Sequence, residues 1–312
     1  MAKENFNGLR EKAISGVVDE LCKAQSYEAV SHYHNHDVPM PSTDALAEVM
    51  ELLRTVLFPG YFGSSDIKPQ TMRYYIGASL DRVSFLLREQ IKRGFCFVCD
   101  FNNQQNCADC DGIAVETTVK FLESLPEVRK LLASDVQAAY EGDPAARDTG
   151  ETIFCYPSIK ALTNYRVANR LYRLNVPLIP RIITEKAHSE TGIDIHPGAS
   201  IGDKFFMDHG TGIVIGETCI IGKNVRVYQG VTLGAKSFPL DENGKPIKGV
   251  RRHPIVEDDV IIYSGATILG RVTIGRGSVI GGNVWLTRDV PPFSKVMQGA
   301  LEHYKFENGS GI

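Results

Sequence analysis

The first 190 residues place apolar side chains at the three- and four-residue spacing of amphipathic helices. One such segment follows Ser42, a favourable N-cap residue, and is stopped by Pro59 and Gly60. Further helices are predicted over about 70–92, 113–124, 127–140, 158–174 and 179–190. Short loops between such helices are typical of a compact bundle, so residues 1–190 are predicted to form an all-α domain.

After Gly192 the apolar pattern changes its period. Large apolar residues now recur every six positions, a spacing that neither a helix nor an ordinary strand produces. A two-residue slip and an insertion at 235–255 divide the pattern into three blocks. These blocks are Ile195, Ile201 and Met207, then Ile215, Ile221, Val227 and Leu233, then Val256, Ile262, Ile268, Ile274, Ile280 and Leu286.

A six-residue period predicts a solenoid. Each hexad forms a short strand and a turn, three hexads complete a triangular coil, and each coil pairs with its neighbours. The apolar residue points into the prism, and the residue four positions later points into a corner. Those corner residues are mostly small or β-branched, as at Ala199, Thr211 and Cys219, although Phe205 is larger. The predicted fold class is therefore α+β, with a helical domain at 1–190, a parallel β-helix at 191–292 and a tail at 293–312.

Composition narrows the class of protein. A net charge of -3 over 312 residues gives no electrostatic reason to expect nucleic acid or an anionic membrane as a partner. No run approaches the roughly 20 apolar residues that would span a bilayer, and residues 1–21 do not look like a secretory signal. Seven cysteines, an odd number, favour a reduced protein over a disulfide framework. We therefore expect a soluble cytoplasmic protein.

Four local strings carry a family resemblance. They are TGIDIHPG at 191–198, MDHGTG at 207–212 with IGE at 215–217, RRHP at 251–254, and AYEGDPAA at 139–146. Together they resemble the serine O-acetyltransferases, a family of hexapeptide-repeat acyltransferases, over about residues 120–292. The resemblance implies that the β-helix is left-handed and that the prisms associate as a homotrimer or a dimer of trimers. It also implies that the active sites lie between neighbouring prisms.

The resemblance further implies a reaction, the transfer of acetyl from acetyl-CoA to the hydroxyl of L-serine. This is the first step of cysteine biosynthesis from serine. A serine hydroxyl needs a base to remove its proton, and a neutral imidazole suits that task and can return the proton to the departing thiolate. His209 matches the family's general base and acid. Asp194 matches the carboxylate that orients this imidazole.

Serine is a zwitterion, so its pocket should contain both charges. By resemblance, Asp143 and Asp208 bind the ammonium and hydroxyl side, while Arg252 and His253 bind the carboxylate, to which a guanidinium is well suited. The loop 235–255 would bring the latter two to the site. Simpler interpretations exist, because Asp143 could only cap an Asp-Pro turn and Arg252 could be a solvated loop charge.

Acetyl-CoA is the expected cosubstrate, and no catalytic metal is expected. Positions that match the family's groove for it are Gly234, Ala235, Ser264 and Gly282. The resemblance also implies feedback inhibition by L-cysteine. The C-terminal Ile312, after a Gly-Ser-Gly segment, matches tails that insert their carboxylate into cysteine synthase.

Three other functions stay open from the residues alone. The first is an acetyltransferase for a sugar hydroxyl, which would not need a zwitterion pocket. The second is a metal enzyme of the carbonic anhydrase class with His196, His209 and His253 as ligands. The third is a scaffold that holds cysteine synthase without catalysis.

A separate cluster of cysteines lies between two predicted helices. Cys96, Cys99, Cys107 and Cys110 could hold a structural zinc ion, or could belong to a reduced polar loop.

Overall fold

The computed structural model describes residues 2–31, 38–63, 67–99 and 110–299. Eight helices precede the strands within these ranges. They are α1 (Ala2–Leu21), α2 (Ala24–Tyr27), α3 (Thr43–Leu57), α4 (Pro69–Val98), α5 (Cys110–Gly142), α6 (Thr149–Cys155), α7 (Pro157–Arg173) and α8 (Ile179–Thr191). None of them is both long and apolar enough to cross a membrane.

Local sequence explains where α3 lies. The Ser42 hydroxyl accepts a hydrogen bond from the Ala45 amide at 3.2 Å, which satisfies one of the unpaired donors at the helix start. The apolar stripe from Leu46 to Leu57 is buried against α4 and α8. The predicted N-cap and the predicted end before Pro59 are confirmed.

Helix α5 differs from its prediction. The predicted helices 113–124 and 127–140 form one helix, which runs from Cys110 to Gly142 with Pro126 inside it. A proline removes one backbone hydrogen bond and disfavours a helix interior. Here the apolar stripe is continuous across it, with Phe121, Leu125 and Val128 buried. Burial along this stripe outweighs the local cost of the proline.

Fourteen short strands follow within the described residues, and they pair with one another in parallel. They are β1 (Asp194–Ile195), β2 (Ser200–Ile201), β3 (Phe206–Asp208), β4 (Val214–Ile215), β5 (Ile220–Ile221), β6 (Arg226–Tyr228), β7 (Thr232–Gly234), β8 (Ile255–Val256), β9 (Ile261–Ile262), β10 (Thr267–Leu269), β11 (Thr273–Ile274), β12 (Val279–Ile280), β13 (Trp285–Leu286) and β14 (Lys295–Val296).

These strands form the three faces of a prism. Face I contains β1, β4, β7, β10 and β13; face II contains β2, β5, β8 and β11; face III contains β3, β6, β9, β12 and β14. The predicted apolar positions stack in register, so that Ile195 lies beside Ile215 and Met207 beside Val227. All thirteen positions are buried except Leu286, which is half-buried. The helical domain followed by a left-handed parallel β-helix is confirmed.

One predicted corner residue is wrong. Thr211 is exposed, and Ile213 is fully buried in its place. The two-residue slip falls between Met207 and Ile215, so the corner residue comes six positions after Met207 rather than four. The extra residues form a turn that projects from the prism.

The predicted boundary at residue 292 stays a prediction, although β14 lies beyond it. Its backbone pairs with β12, with Lys295 opposite Val279. Ile312 lies outside the described residues.

The proposed four-cysteine site also stays a prediction, since Cys107 lies outside the described residues. Cys96 is buried on α4 and Cys110 begins α5.

A buried ion pair joins the helices to the β-helix. Arg166 of α7 donates two hydrogen bonds to Asp135 of α5, at 3.1 and 2.9 Å. The same guanidinium donates to the carbonyls of Ile201 and Gly202 at 2.7 Å. Asp135 also accepts from the Phe205 amide at 3.0 Å. This network fixes the first coil of the prism against the bundle.

Candidate active site

The candidate catalytic histidine lies at the corner between faces III and I. Asp208 ends β3, and His209 follows with a φ of +57°. This is the left-handed region of backbone conformation, which few residues other than glycine adopt easily. This conformation turns the imidazole outward, and the side chain is 70% exposed. Its Nδ1 lies 3.6 Å from a carboxylate oxygen of Asp208.

The end of α5 brings a second carboxylate to this corner. Gly142 packs closely against the Phe206 ring, where a Cβ would come within 2.6 Å of Cδ1. The next residue, Asp143, accepts a hydrogen bond from the Ala145 amide at 2.8 Å and another from the Tyr156 hydroxyl. The structure therefore brings Asp143, Asp208 and His209 together; we call these residues, with Tyr156, the histidine corner.

Hydrogen bonding sets the charges at the histidine corner. The bond from Tyr156, followed by that from the Ala145 amide, holds the pKa of Asp143 below its ordinary value, so this carboxylate is ionised near neutral pH. Burial, together with the bond to Asp143, raises the pKa of the Tyr156 phenol. Tyr156 consequently stays protonated and remains a donor.

A second group of polar residues lies at the corner between faces I and II. The loop 235–255 ends there, and it places Arg252 and His253 beside Thr218. The backbone amides of Arg252 and His253 both donate to the Thr218 hydroxyl oxygen, at 3.0 and 3.1 Å. Arg252 donates to Glu217 at 2.9 Å. We call this group, with Tyr172 and His196, the arginine corner.

The tautomer of His253 follows from its partners. The Thr218 amide donates to His253 Nδ1 at 3.0 Å, so this nitrogen is unprotonated and the proton is on Nε2. Burial, reinforced by the neighbouring Arg252, lowers the pKa of His253 to about 4. At neutral pH the ring is therefore an uncharged donor at Nε2. It packs on Gly216, where a Cβ would approach within 2.2 Å of Nε2.

Glu217 anchors the arginine corner and was not among the sequence-predicted site residues. Burial opposes its ionisation, but hydrogen bonds from Arg252 and Tyr172 and the charge of His196 hold its pKa below the ordinary value. Tyr172 donates to it at 3.2 Å from α7, 45 residues away in the chain. Glu217 lies within one of the family strings, so the sequence could have identified it as a site residue. Nothing in the sequence around Tyr172 indicated a role in the site.

Asp194 lies on face I between the two corners. Its carboxylate is 3.9 Å from the Arg181 guanidinium of α8. The turn that contains His209 lies close to Ile193, the residue before Asp194. A Cβ on Gly210 would come within 2.5 Å of the Ile193 side chain. In the described part of the chain no hydrogen bond or ion pair joins Asp194 to His209.

The predicted groove residues are likewise divided between the corners. Gly234 ends β7 and Ala235 follows it at the arginine corner, whereas Ser264 and Gly282 lie shortly after β9 and β12 at the histidine corner. Gly282 stacks directly on Ser264, whose carbonyl would lie 3.2 Å from its Cβ. One chain thus presents the predicted substrate and cosubstrate residues at two opposite edges of one face.

Known proteins share this architecture. The family model described as bacterial transferase hexapeptide (six repeats) matches residues 253–288. The solved structure of serine acetyltransferase 1 from Entamoeba histolytica in complex with L-cysteine has a TM-score of 0.70 and 36% sequence identity. That match covers 86% of this chain and 91% of the solved chain.

Two curated relatives extend the likeness to sequence. A serine acetyltransferase from Bacillus subtilis is 45% identical over 183 residues, or 59% of this chain and 80% of the relative. A serine acetyltransferase from Synechococcus elongatus, described as plasmid, is 52% identical over 307 residues, or 97% of this chain and 96% of the relative. The chain therefore belongs to the serine acetyltransferase family.

Proposed function

We propose that the chain transfers acetyl from acetyl-CoA to L-serine in a site completed by a second copy. The observation that carries this proposal is the division of the polar residues between two edges of face I. The four residues of the histidine corner are a base, two carboxylates and a phenol, a set suited to the ammonium end of serine rather than to its carboxylate. The arginine corner has cationic and neutral donors. When the histidine corner of one prism meets the arginine corner of its neighbour, every part of a zwitterion pocket is present.

The arginine corner is suited to the serine carboxylate. Arg252 supplies a full positive charge, and Glu217 fixes its position by accepting one of its hydrogen bonds. His253 adds a donor at Nε2 that carries no charge of its own. Because the ring is held by Thr218 on one side and Gly216 on the other, the donor is fixed before serine binds.

The histidine corner is suited to the other end of serine. The ionised Asp143 and the nearby Asp208 offer acceptors for the ammonium group. Solved relatives include a soybean serine acetyltransferase complexed with serine, 26% identical to this chain, which supports serine as the acceptor.

His209 then carries out the proton transfers. Its imidazole accepts the serine hydroxyl proton while the oxygen attacks the thioester carbonyl. The resulting tetrahedral species loses CoA by C–S bond cleavage, and the imidazolium returns the proton to the sulfur. Asp194 of one copy supplies the carboxylate that stabilises the imidazolium. Gly234 and Gly282 leave the backbone uncovered at the two corners, which suits a CoA chain contacted mainly by main-chain groups.

The first test measures serine-dependent release of CoA. His209→Ala should lower the rate by about 10²–10⁴-fold, because a general base is lost. A chain that released no CoA with L-serine, or that acetylated a sugar hydroxyl faster, would contradict the proposal.

A second test addresses the shared site. His209→Ala and His253→Ala each disable a different corner, so co-expressed chains should form some interfaces with both corners intact. These mixed oligomers should regain activity that neither variant has alone. Two inactive variants that stay inactive when mixed within one oligomer would refute a site made by two copies.

The proposal extends to regulation and partners. L-cysteine shares the ammonium and carboxylate of serine and should compete for the same pocket, and an Entamoeba histolytica relative has been solved with it. We expect the terminal carboxylate of Ile312 to bind cysteine synthase in the cytoplasm. Deletion of Ile312 should abolish that complex in a pull-down with purified cysteine synthase and leave CoA release unchanged. A deletion that retained full binding would exclude this role.

A further inference from the structure

A cluster of metal-type ligands extends from Asp194 onto α8, away from the residues that bind serine. Glu185 and His188 are one turn apart on α8, and Asp194 opens β1 six residues after His188. One ligand atom from each of the three residues lies within 4.8 Å of the other two. We propose that Glu185, His188 and Asp194 form an inhibitory binding site for Zn²⁺ or a similar transition metal.

The spacing of the first two ligands favours a metal over a direct contact. His188 Nδ1 and a Glu185 carboxylate oxygen are 3.4 Å apart, which is long for a hydrogen bond. Two ligands about 2.0–2.1 Å from a tetrahedral zinc ion are about 3.3–3.4 Å apart. The pair already has the separation that a shared zinc ion requires, and one helix holds both residues. Asp194 would supply the third protein ligand and water the fourth.

The surroundings also suit an exchangeable ion. His188 lies in the last turn of α8, where the helix dipole favours positive charge. The side chains of Glu185 and His188 are exposed by almost half, so an ion can enter from solvent. Arg181 is the resident cation, since it contacts both Glu185 and Asp194. Its half-exposed side chain can swing into solvent, so the metal would replace one cation by another.

Inhibition follows from the identity of the third ligand, and this step rests on the proposed function. A carboxylate of Asp194 that coordinates zinc is drawn toward α8 and cannot stabilise the His209 imidazolium. Bound metal should therefore lower kcat and leave the KM for serine nearly unchanged, because the arginine corner is not involved.

Equilibrium dialysis of the full chain against Zn²⁺ tests the site directly. His188→Ala should bind one Zn²⁺ per chain fewer than the wild type, and Arg181→Gln should bind this ion more tightly because the competing cation is gone. Glu190→Gln is the matched control on α8, since Glu190 pairs with Lys160 and Lys186 and faces away from the cluster. Co²⁺ spectra separate this nitrogen and oxygen site from any cysteine site, which would show intense thiolate absorption.

Kinetics then test the regulatory part. Micromolar Zn²⁺ should inhibit wild-type CoA release, His188→Ala should resist it at unchanged basal rate, and Glu190→Gln should behave like the wild type. Equal zinc binding by the wild type and His188→Ala would overturn the site. If His188→Ala loses the bound Zn²⁺ but is still inhibited by Zn²⁺, the regulatory role of the site is overturned. A chain that binds zinc but never acetylates serine would refute the proposed function and leave the metal site standing.

Discussion

The most specific consequence of the site geometry concerns Gly216, a residue with no side chain to offer. A Cβ added there would lie 2.1 Å from His253 Cδ2 and 2.2 Å from Nε2. The ring must therefore retreat by more than about 1 Å to reach ordinary contact. Gly216 is not among the residues with positive φ, so alanine fits the backbone itself. Gly216→Ala thus acts first on the position of His253, whose ring supplies the three atoms nearest to the new Cβ.

The magnitude follows from the bond that is lost. A hydrogen bond to a charged group contributes about 1.5–3 kcal/mol, and each 1.36 kcal/mol is tenfold in an equilibrium or rate. If His253 Nε2 donates to the serine carboxylate, Gly216→Ala should lower kcat/KM for serine by about 10- to 150-fold. The KM for acetyl-CoA should change little. Initial rates of CoA release at varied serine give both values.

The control and the refuting result use the same assay. Gly77→Ala on α4 meets nothing within 4 Å and should leave the kinetics unchanged. In a His253→Ala background, Gly216→Ala should add almost nothing, because the ring that it displaces is already gone. An equal loss in both backgrounds would show that Gly216 acts by another route, and an unchanged kcat/KM in the single variant would refute the role of His253.

Three further predictions concern charge. Asp135→Asn leaves the buried Arg166 without its counter-ion and should lower the free energy of unfolding by about 3–5 kcal/mol in urea titrations; a loss below 1 kcal/mol would contradict a buried, coupled pair. Between pH 6.5 and about 4, His253 binds a proton in the unfolded chain but not in the folded chain. The free energy of unfolding should therefore fall as the pH falls through this window. His253→Gln should reduce this dependence of the free energy of unfolding on pH. Glu217→Gln frees Arg252 and should raise the KM for serine several-fold at unchanged KM for acetyl-CoA, a result that an intact KM for serine would exclude.

The β-helix could be predicted almost residue by residue, because its rule is local. Every hexad places one apolar residue in the prism, and the period survives in the sequence whatever the rest of the chain does. The prediction failed only at Thr211, where the slip moves the corner position to Ile213. Helix α5 shows the opposite case. Pro126 is a strong local signal for a helix end. Whether the helix continues through it depends on packing against α4 and α7, and the local sequence holds no information about that packing.

The site was less predictable than the fold. The family strings pointed to His209, Arg252 and His253, yet nothing in their spacing shows that one chain keeps them at opposite edges of a face. Tyr172 could not be predicted at all, because its partner Glu217 is 45 residues away and only the packing of α7 on the prism joins them. Contacts of this kind depend on tertiary geometry rather than on any sequence period.

The two interruptions of the repeat support the proposal that the site is shared between copies. The slip that follows Met207 presents His209 at one edge of face I, and the loop 235–255 presents Arg252 at the other. The two patches differ and complement each other, so the histidine corner of one copy is predicted to meet the arginine corner of another. If these contacts run head to tail, they form a closed ring when the rotation permits, whereas a two-fold axis would join both corners within one pair. In a closed ring, each interface is predicted to contain one complete pocket.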